Sequence, residues 1–82
     1  MTQEEELKYI EHYRDVFVSE GGVSLTKAFE MWLEYCGNVG ISPVVRRYRF
    51  RNELKKHFEK FEERTSVNGI MIRNYFSGFK GS

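Results

Sequence analysis

Asn68-Gly69 lies at the centre of an alternating stretch, and that combination constrains the C-terminal third of this 82-residue chain more tightly than any other feature. The pair readily takes the positive φ angles that a two-residue type I′ hairpin turn demands. On either side, Phe61, Thr65 and Val67, then Ile70, Ile72 and Phe76, recur at the even spacings of a strand. With Asn68 and Gly69 as the loop, Val67 faces Ile70, Thr65 faces Ile72 and Phe61 faces Phe76. One face of the hairpin is then apolar, while the other carries Glu62, Arg64, Met71, Arg73 and Tyr75. The closing Ser77-Gly78-Phe79-Lys80-Gly81-Ser82 is polar and glycine-rich and is expected to fray.

Upstream the hydrophobic period is helical. Leu7, Ile10, Tyr13 or Arg14, and Phe17 share a stripe that predicts an amphipathic helix over about 4–19, broken by Gly21-Gly22. Ser24 or Thr26 is suited to cap a second helix, with Leu25, Phe29, Trp32, Leu33 and Cys36 on its apolar face, ending at Gly37. Ser42-Pro43 is a helix-start signal, and the third helix is expected to run to about Phe58. Phe50 and Leu54, with Phe58 or His57, form its inner face. Tyr48, Arg49, Asn52, Lys55, Lys56 and Glu59 project on or near the opposite side.

Three helices followed by a hairpin give an α+β domain with the element order of a winged helix, a helix-turn-helix variant with a C-terminal β-hairpin wing. The length suits one domain, residues 1–82, with an ordered core of about 4–79. A 40% hydrophobic and 30% charged composition is that of a folding chain. A lone cysteine excludes an internal disulfide. No apolar run approaches the roughly 18 residues that a membrane span needs, and the acidic N-terminus is unlike a signal peptide, so a cytoplasmic setting without membrane attachment is expected.

Charge is distributed unevenly. Residues 1–35 hold three lysines or arginines against eight acids, and residues 36–82 hold ten against four. The surplus concentrates on the third helix, at Arg46, Arg47, Arg49, Arg51, Lys55 and Lys56. A helix fits the major groove of B-DNA, where arginine pairs with guanine and asparagine with adenine, while lysine meets phosphates. Arg49, Asn52 and Tyr48 are therefore assigned to base edges or nearby phosphates, and Arg46, Arg47, Lys55 and Lys56 mainly to the backbone. Arg64 and Arg73 would contact DNA from the wing, although its tip, Val67-Asn68-Gly69, is uncharged. The competing reading of these cations is a solvated face bridged to Glu53, Glu59 and the acidic first helix. Arg46 and Arg47 turn toward the core side, where they could lie along aromatic surface instead. Tyr48, Tyr75 and Phe79 would stack on unpaired bases if they were open, but such aromatics more often build a core, which favours duplex over single strands.

The pattern Phe29-x-x-Trp32-x-x-x-Cys36-Gly37-x-x-Gly40-Ile41-Ser42-Pro43, then Phe50-x-x-x-Leu54 and the Asn68-Gly69 hairpin, resembles the C-terminal domain of phage and plasmid primase-helicases and of related initiator helicases of mobile elements. The resemblance spans about residues 13–80. It implies a winged-helix module of a larger replication protein, binding DNA beside an ATPase domain of the same protein. It also implies Trp32, Phe50 and Leu54 in the core and the basic third helix at the DNA. Glu62-Glu63 in the wing depart from that pattern.

A P-loop and a primase acid cluster are both lacking. Cys36, His12 and His57 lack the spacing of a metal site or a catalytic constellation. A non-enzymatic segment without metal, cofactor or small-molecule substrate is expected. Cys36 reads as a buried small hydrophobe, and His57 as core edge or a weak phosphate contact. The main rival to DNA binding is a protein-interaction or oligomerisation module of the same shape, in which the acidic first helix meets the basic third.

Overall fold

The computed structural model describes residues 2–42 and 45–81. It is an α+β fold with four helices and a three-stranded antiparallel sheet among the described residues: α1 Gln3–His12, α2 Arg14–Glu20, β1 Gly22–Ser24, α3 Leu25–Val39, α4 Arg47–Lys55, β2 Phe58–Val67 and β3 Ile70–Phe79. The strands are ordered β1-β3-β2.

The single N-terminal helix expected over 4–19 is two helices that meet at Tyr13, whose φ and ψ of −103° and 13° leave the helical basin. Thr2 caps α1, its Oγ1 accepting from the Glu5 N–H at 3.2 Å. Ile10 and Phe17 of the expected stripe are buried, with Tyr13 packed against the core, but its N-terminal end is displaced. Tyr9 and Glu6 turn inward, while Leu7 is 53% exposed. Tyr9 takes the central place because a large ring with a polar end suits it: the hydroxyl donates to the Ala28 carbonyl at 2.7 Å, and the ring meets Trp32, Phe50 and Phe17 edge-on.

Strand β1 was not visible as a strand in the sequence. Its three residues pair with β3 as Gly22↔Ser77, Val23↔Phe76 and Ser24↔Tyr75. Gly22 allows a close approach there, since a Cβ at that position would collide with the Tyr75 hydroxyl and the tyrosine side chain would have to shift. Ser24, rather than Thr26, then caps α3, accepting from the Lys27 N–H at 3.2 Å. Helix α3 passes through Gly37 and ends at Gly40, where the Ile41 N–H returns to the Cys36 carbonyl at 2.9 Å. It buries Leu25, Ala28, Met31, Trp32, Tyr35 and Cys36, and leaves Leu33 at the surface.

The helix start expected at Ser42-Pro43 is displaced. Pro43 lies outside the described residues, Ser42, Val45 and Arg46 are not helical, and α4 begins at Arg47. Ile41 and Val45 on either side of this point both pack against the core. Helix α4 also stops short of Phe58. The Lys56 and His57 N–H groups bond three residues back, to Glu53 and Leu54, which tightens the last turn and releases Phe58 into the sheet.

The hairpin has the expected register, Val67↔Ile70, Thr65↔Ile72 and Phe61↔Phe76, and Asn68 and Gly69 have φ of 54° and 80°. It extends further than alternation indicated. Phe58 pairs with Phe79, and the tail expected to fray ends in a buried Phe79 packed on Phe17 and Phe58. Phe76 and Phe79, three residues apart, both turn inward, which strict alternation forbids. Gly78 lies between them with φ of 69°, a conformation that glycine adopts without strain.

Candidate nucleic-acid interface

Helix α4 is held from one side by two residues. Phe50 and Leu54 are fully buried, and the Phe50 ring contacts Tyr9, Phe29 and Trp32. At 100° per residue the direction opposite them is centred on Asn52, with Tyr48 and Lys55 on one flank and Arg49 and Lys56 on the other. All five are exposed. The helix therefore presents a rigid polar face with four donors and one ring, as the sequence indicated.

These side chains are not equally free. Arg49 Nε lies 3.6 Å from Glu53 Oε1, a long contact whose arginine side remains 73% exposed. Lys55 Nζ sits 4.7 Å above the Phe61 ring of β2. Asn52 and Lys56 have no side-chain bond or ion pair among the described residues. Arg46 is the N-cap residue and makes no side-chain capping bond. Arg47 has a structural role: its Nη2 donates to Thr26 Oγ1 at 2.7 Å and its guanidinium lies 5.9 Å from the Phe29 ring centre, fastening α4 to α3. This is the core-side alternative considered for it, although the residue is still exposed.

Arg51, part of the charge surplus of this helix, lies on its sheet side. Its guanidinium stands 5.1 Å from the Tyr48 ring centre and 5.9 Å from that of Phe61. Cation–π attraction at such distances is worth about 0.5–2 kcal/mol. Tyr48, Arg51, Phe61 and Lys55 thus form a continuous chain from α4 to β2. The i,i+3 spacing of Tyr48 and Arg51 was its only trace in the sequence.

On the hairpin, Arg64 and Arg73 are direct cross-strand partners, both exposed, and neither forms an ion pair among the described residues. Glu62, the nearest acid on that face, is occupied by Lys60 at 2.9 Å. The Lys60 ammonium and the Thr65 hydroxyl hold the Glu62 carboxyl below its ordinary value. Arg64 lies three residues beyond Phe61 on β2, about 10 Å along the strand from the ring that carries Lys55.

The other singled-out residues have different places. Tyr75 is half-buried against Gly22 and Phe79 is buried, so Tyr48, 68% exposed, is the open ring of the three considered for stacking. Cys36 is buried, and that burial, reinforced by Glu5, pushes its thiol up. His57 Nε2 is 2.8 Å from Glu6 Oε1, which ties it to α1 instead of leaving it available to a phosphate. No group of three or more His, Cys, Asp or Glu side chains among the described residues is arranged to hold a metal. None of the described helices is long and apolar enough to cross a membrane.

Comparison of the chain with protein-family models, with curated proteins and with solved structures yields no match in any of the three. The likeness to primase-helicase C-terminal domains therefore rests on the spaced aromatics of the sequence.

Proposed function

We propose that this chain is a winged-helix DNA-binding module that reads duplex through the outward face of α4 and holds the backbone with its hairpin. The observation that carries the proposal is the combination on α4 of a buried anchor, Phe50 and Leu54, with an open face of Asn52, Tyr48, Arg49, Lys55 and Lys56. A helix fixed this way presents its outward positions to a groove without reordering its backbone, so only the side chains remain to be ordered. The order of elements supports the winged-helix reading: a short first strand, two helices, then a hairpin whose second strand is central in β1-β3-β2. Asn52 and Arg49 are the candidates for base edges, Lys55, Lys56 and Arg46 for phosphates, and Arg64 with Arg73 for the wing. Arg47 is assigned to fastening α3 to α4. Service in a replication primase or helicase, beside an ATPase domain, is the setting that the sequence resemblance favours.

Fluorescence anisotropy with labelled duplex and single-stranded oligonucleotides across a salt series tests this. Duplex binding should weaken with a slope of about −0.9 per phosphate contact in log K against log salt, hence about −4 for four or five contacts. Lys56→Gln should reduce the slope by about one contact at every sequence, and Asn52→Ala should reduce discrimination between sequences. Absence of duplex binding at low salt would overturn the proposal and leave α4 as a protein-docking face.

A further inference from the structure

The hairpin turn is the usual Asn-Gly pair, yet the strand that leaves it opens on two exposed apolar side chains. Ile70 and Met71, which follow Asn68-Gly69 directly, are 65% and 66% exposed. Strand β1 reaches only as far as Tyr75, so among the described residues no third strand lies beside β3 from Arg73 to the turn. The register puts Met71, opposite Ser66, on the same face as the Arg64↔Arg73 pair and Ile70 on the other. Two arginines directly opposite each other destabilise a hairpin when no carboxylate answers them. Their placement behind an apolar tip therefore fits an anionic partner that the tip must enter.

Resting on the DNA-binding reading above, we propose that the hairpin tip is a wedge, with Met71 and Ile70 entering the minor groove at a base step while Arg64 and Arg73 clamp the flanking phosphates. The dimensions agree. Met71 and Arg73 are two residues apart, about 7 Å along the strand. The minor groove is about 7.5 Å deep, so a Met71 seated at its floor, with the Asn68-Gly69 turn lying along the groove, leaves the two arginine positions near the rim, where the phosphates are. The groove is only about 6 Å wide, too narrow for a two-stranded ribbon with side chains, and entry requires it to open. Opening by an apolar side chain kinks the duplex away from the inserted face, typically by about 20–90°, most readily at a flexible pyrimidine–purine step.

The test uses a short duplex with a central TA step and a donor and acceptor dye at its ends, with the intact chain and its Ile70→Ser/Met71→Ser variant. Both positions are exposed, so the variant should keep its fold, which a thermal melt verifies. The wild type should bind and raise energy transfer between the ends. The variant should bind about tenfold more weakly, from the lost apolar contact, without raising energy transfer. A bound duplex that stays straight, or that the variant bends equally, overturns the wedge while the α4 reading survives. No binding by either protein overturns both. Doubling of the mass in solution, or adsorption to phosphatidylserine vesicles, abolished by the variant while the duplex stays unbent, also overturns the wedge and assigns the tip to a second copy or to a lipid surface.

Discussion

His57 Nε2 and Glu6 Oε1 stand 2.8 Å apart across the molecule, joining the turn that ends α4 to the first helix. Glu6 is buried, so its carboxylate relies on this partner in place of water. Glu6→Gln or His57→Ala should therefore destabilise the fold by about 1–3 kcal/mol, the range for leaving a buried polar group without its partner. For a domain of this size that is a fall in Tm of roughly 5–20 °C. Calorimetry of both variants checks it, and an unchanged Tm would reduce the contact to a surface pairing.

Tyr9 makes the fold sensitive to alkali. Burial raises its phenol strongly above the ordinary value of 10.0, with Tyr13 adding to the shift. A raised folded-state value means that the folded protein keeps a proton that the unfolded chain releases, so the contribution is complete below pH 10 and declines as pH rises beyond it. Ionised Tyr9 would also lose its donated bond to the Ala28 carbonyl. Chemical denaturation at pH 8 and above pH 10 should show stability declining in the wild type, and declining less steeply in Tyr9→Phe.

Gly22 and Tyr75 should behave as a coupled pair. An added methyl at Gly22 would meet the end of the Tyr75 side chain, whose hydroxyl oxygen and two ring carbons lie within 2.8 Å of the ideal Cβ position. Gly22→Ala should cost about 1–3 kcal/mol by overpacking. Tyr75→Ala removes the obstacle, so the double variant should be less destabilised than the sum of the two single variants. Additive losses would mean that Gly22 is needed for its backbone alone.

Arg73→Glu should separate stability from binding. It converts the Arg64↔Arg73 like-charge pair into an opposite-charge pair, worth about 0.2–1 kcal/mol on a strand face. Its Tm should rise while duplex affinity falls at low salt, the opposition expected where a destabilising charge is kept for a ligand. A variant that gains stability and binds duplex as well as the wild type would remove the hairpin from the interface.

What could be read from the chain alone was whatever depends on local conformation or on one element's own periodicity. Asn68-Gly69 prefers positive φ wherever it occurs, so the turn and its register followed from residues within a few positions of each other. The open face of α4 followed likewise, because Phe50 and Leu54 at i and i+4 determine which side Asn52 and Lys56 must take.

Tertiary structure decided what depends on residues far along the chain. Three residues of β1 carry no usable period, and they form a strand only because Tyr75–Ser77 supply hydrogen-bonding partners some fifty positions later. By hydrophobicity Leu7 is the residue to bury, yet Tyr9 takes the core position, with its hydroxyl satisfied by the Ala28 carbonyl nineteen residues away. Phe79, in a tail of fraying composition, is ordered by Phe17 and Phe58. At the candidate interface, charge and face were legible in the sequence. The division of labour among the cations was not: Arg47 is bound to Thr26, Arg51 and Lys55 lie against Phe61, and Arg64 is set opposite Arg73. Each depends on which distant side chain the packed fold brings within reach, and nearest-neighbour patterns carry no information about that.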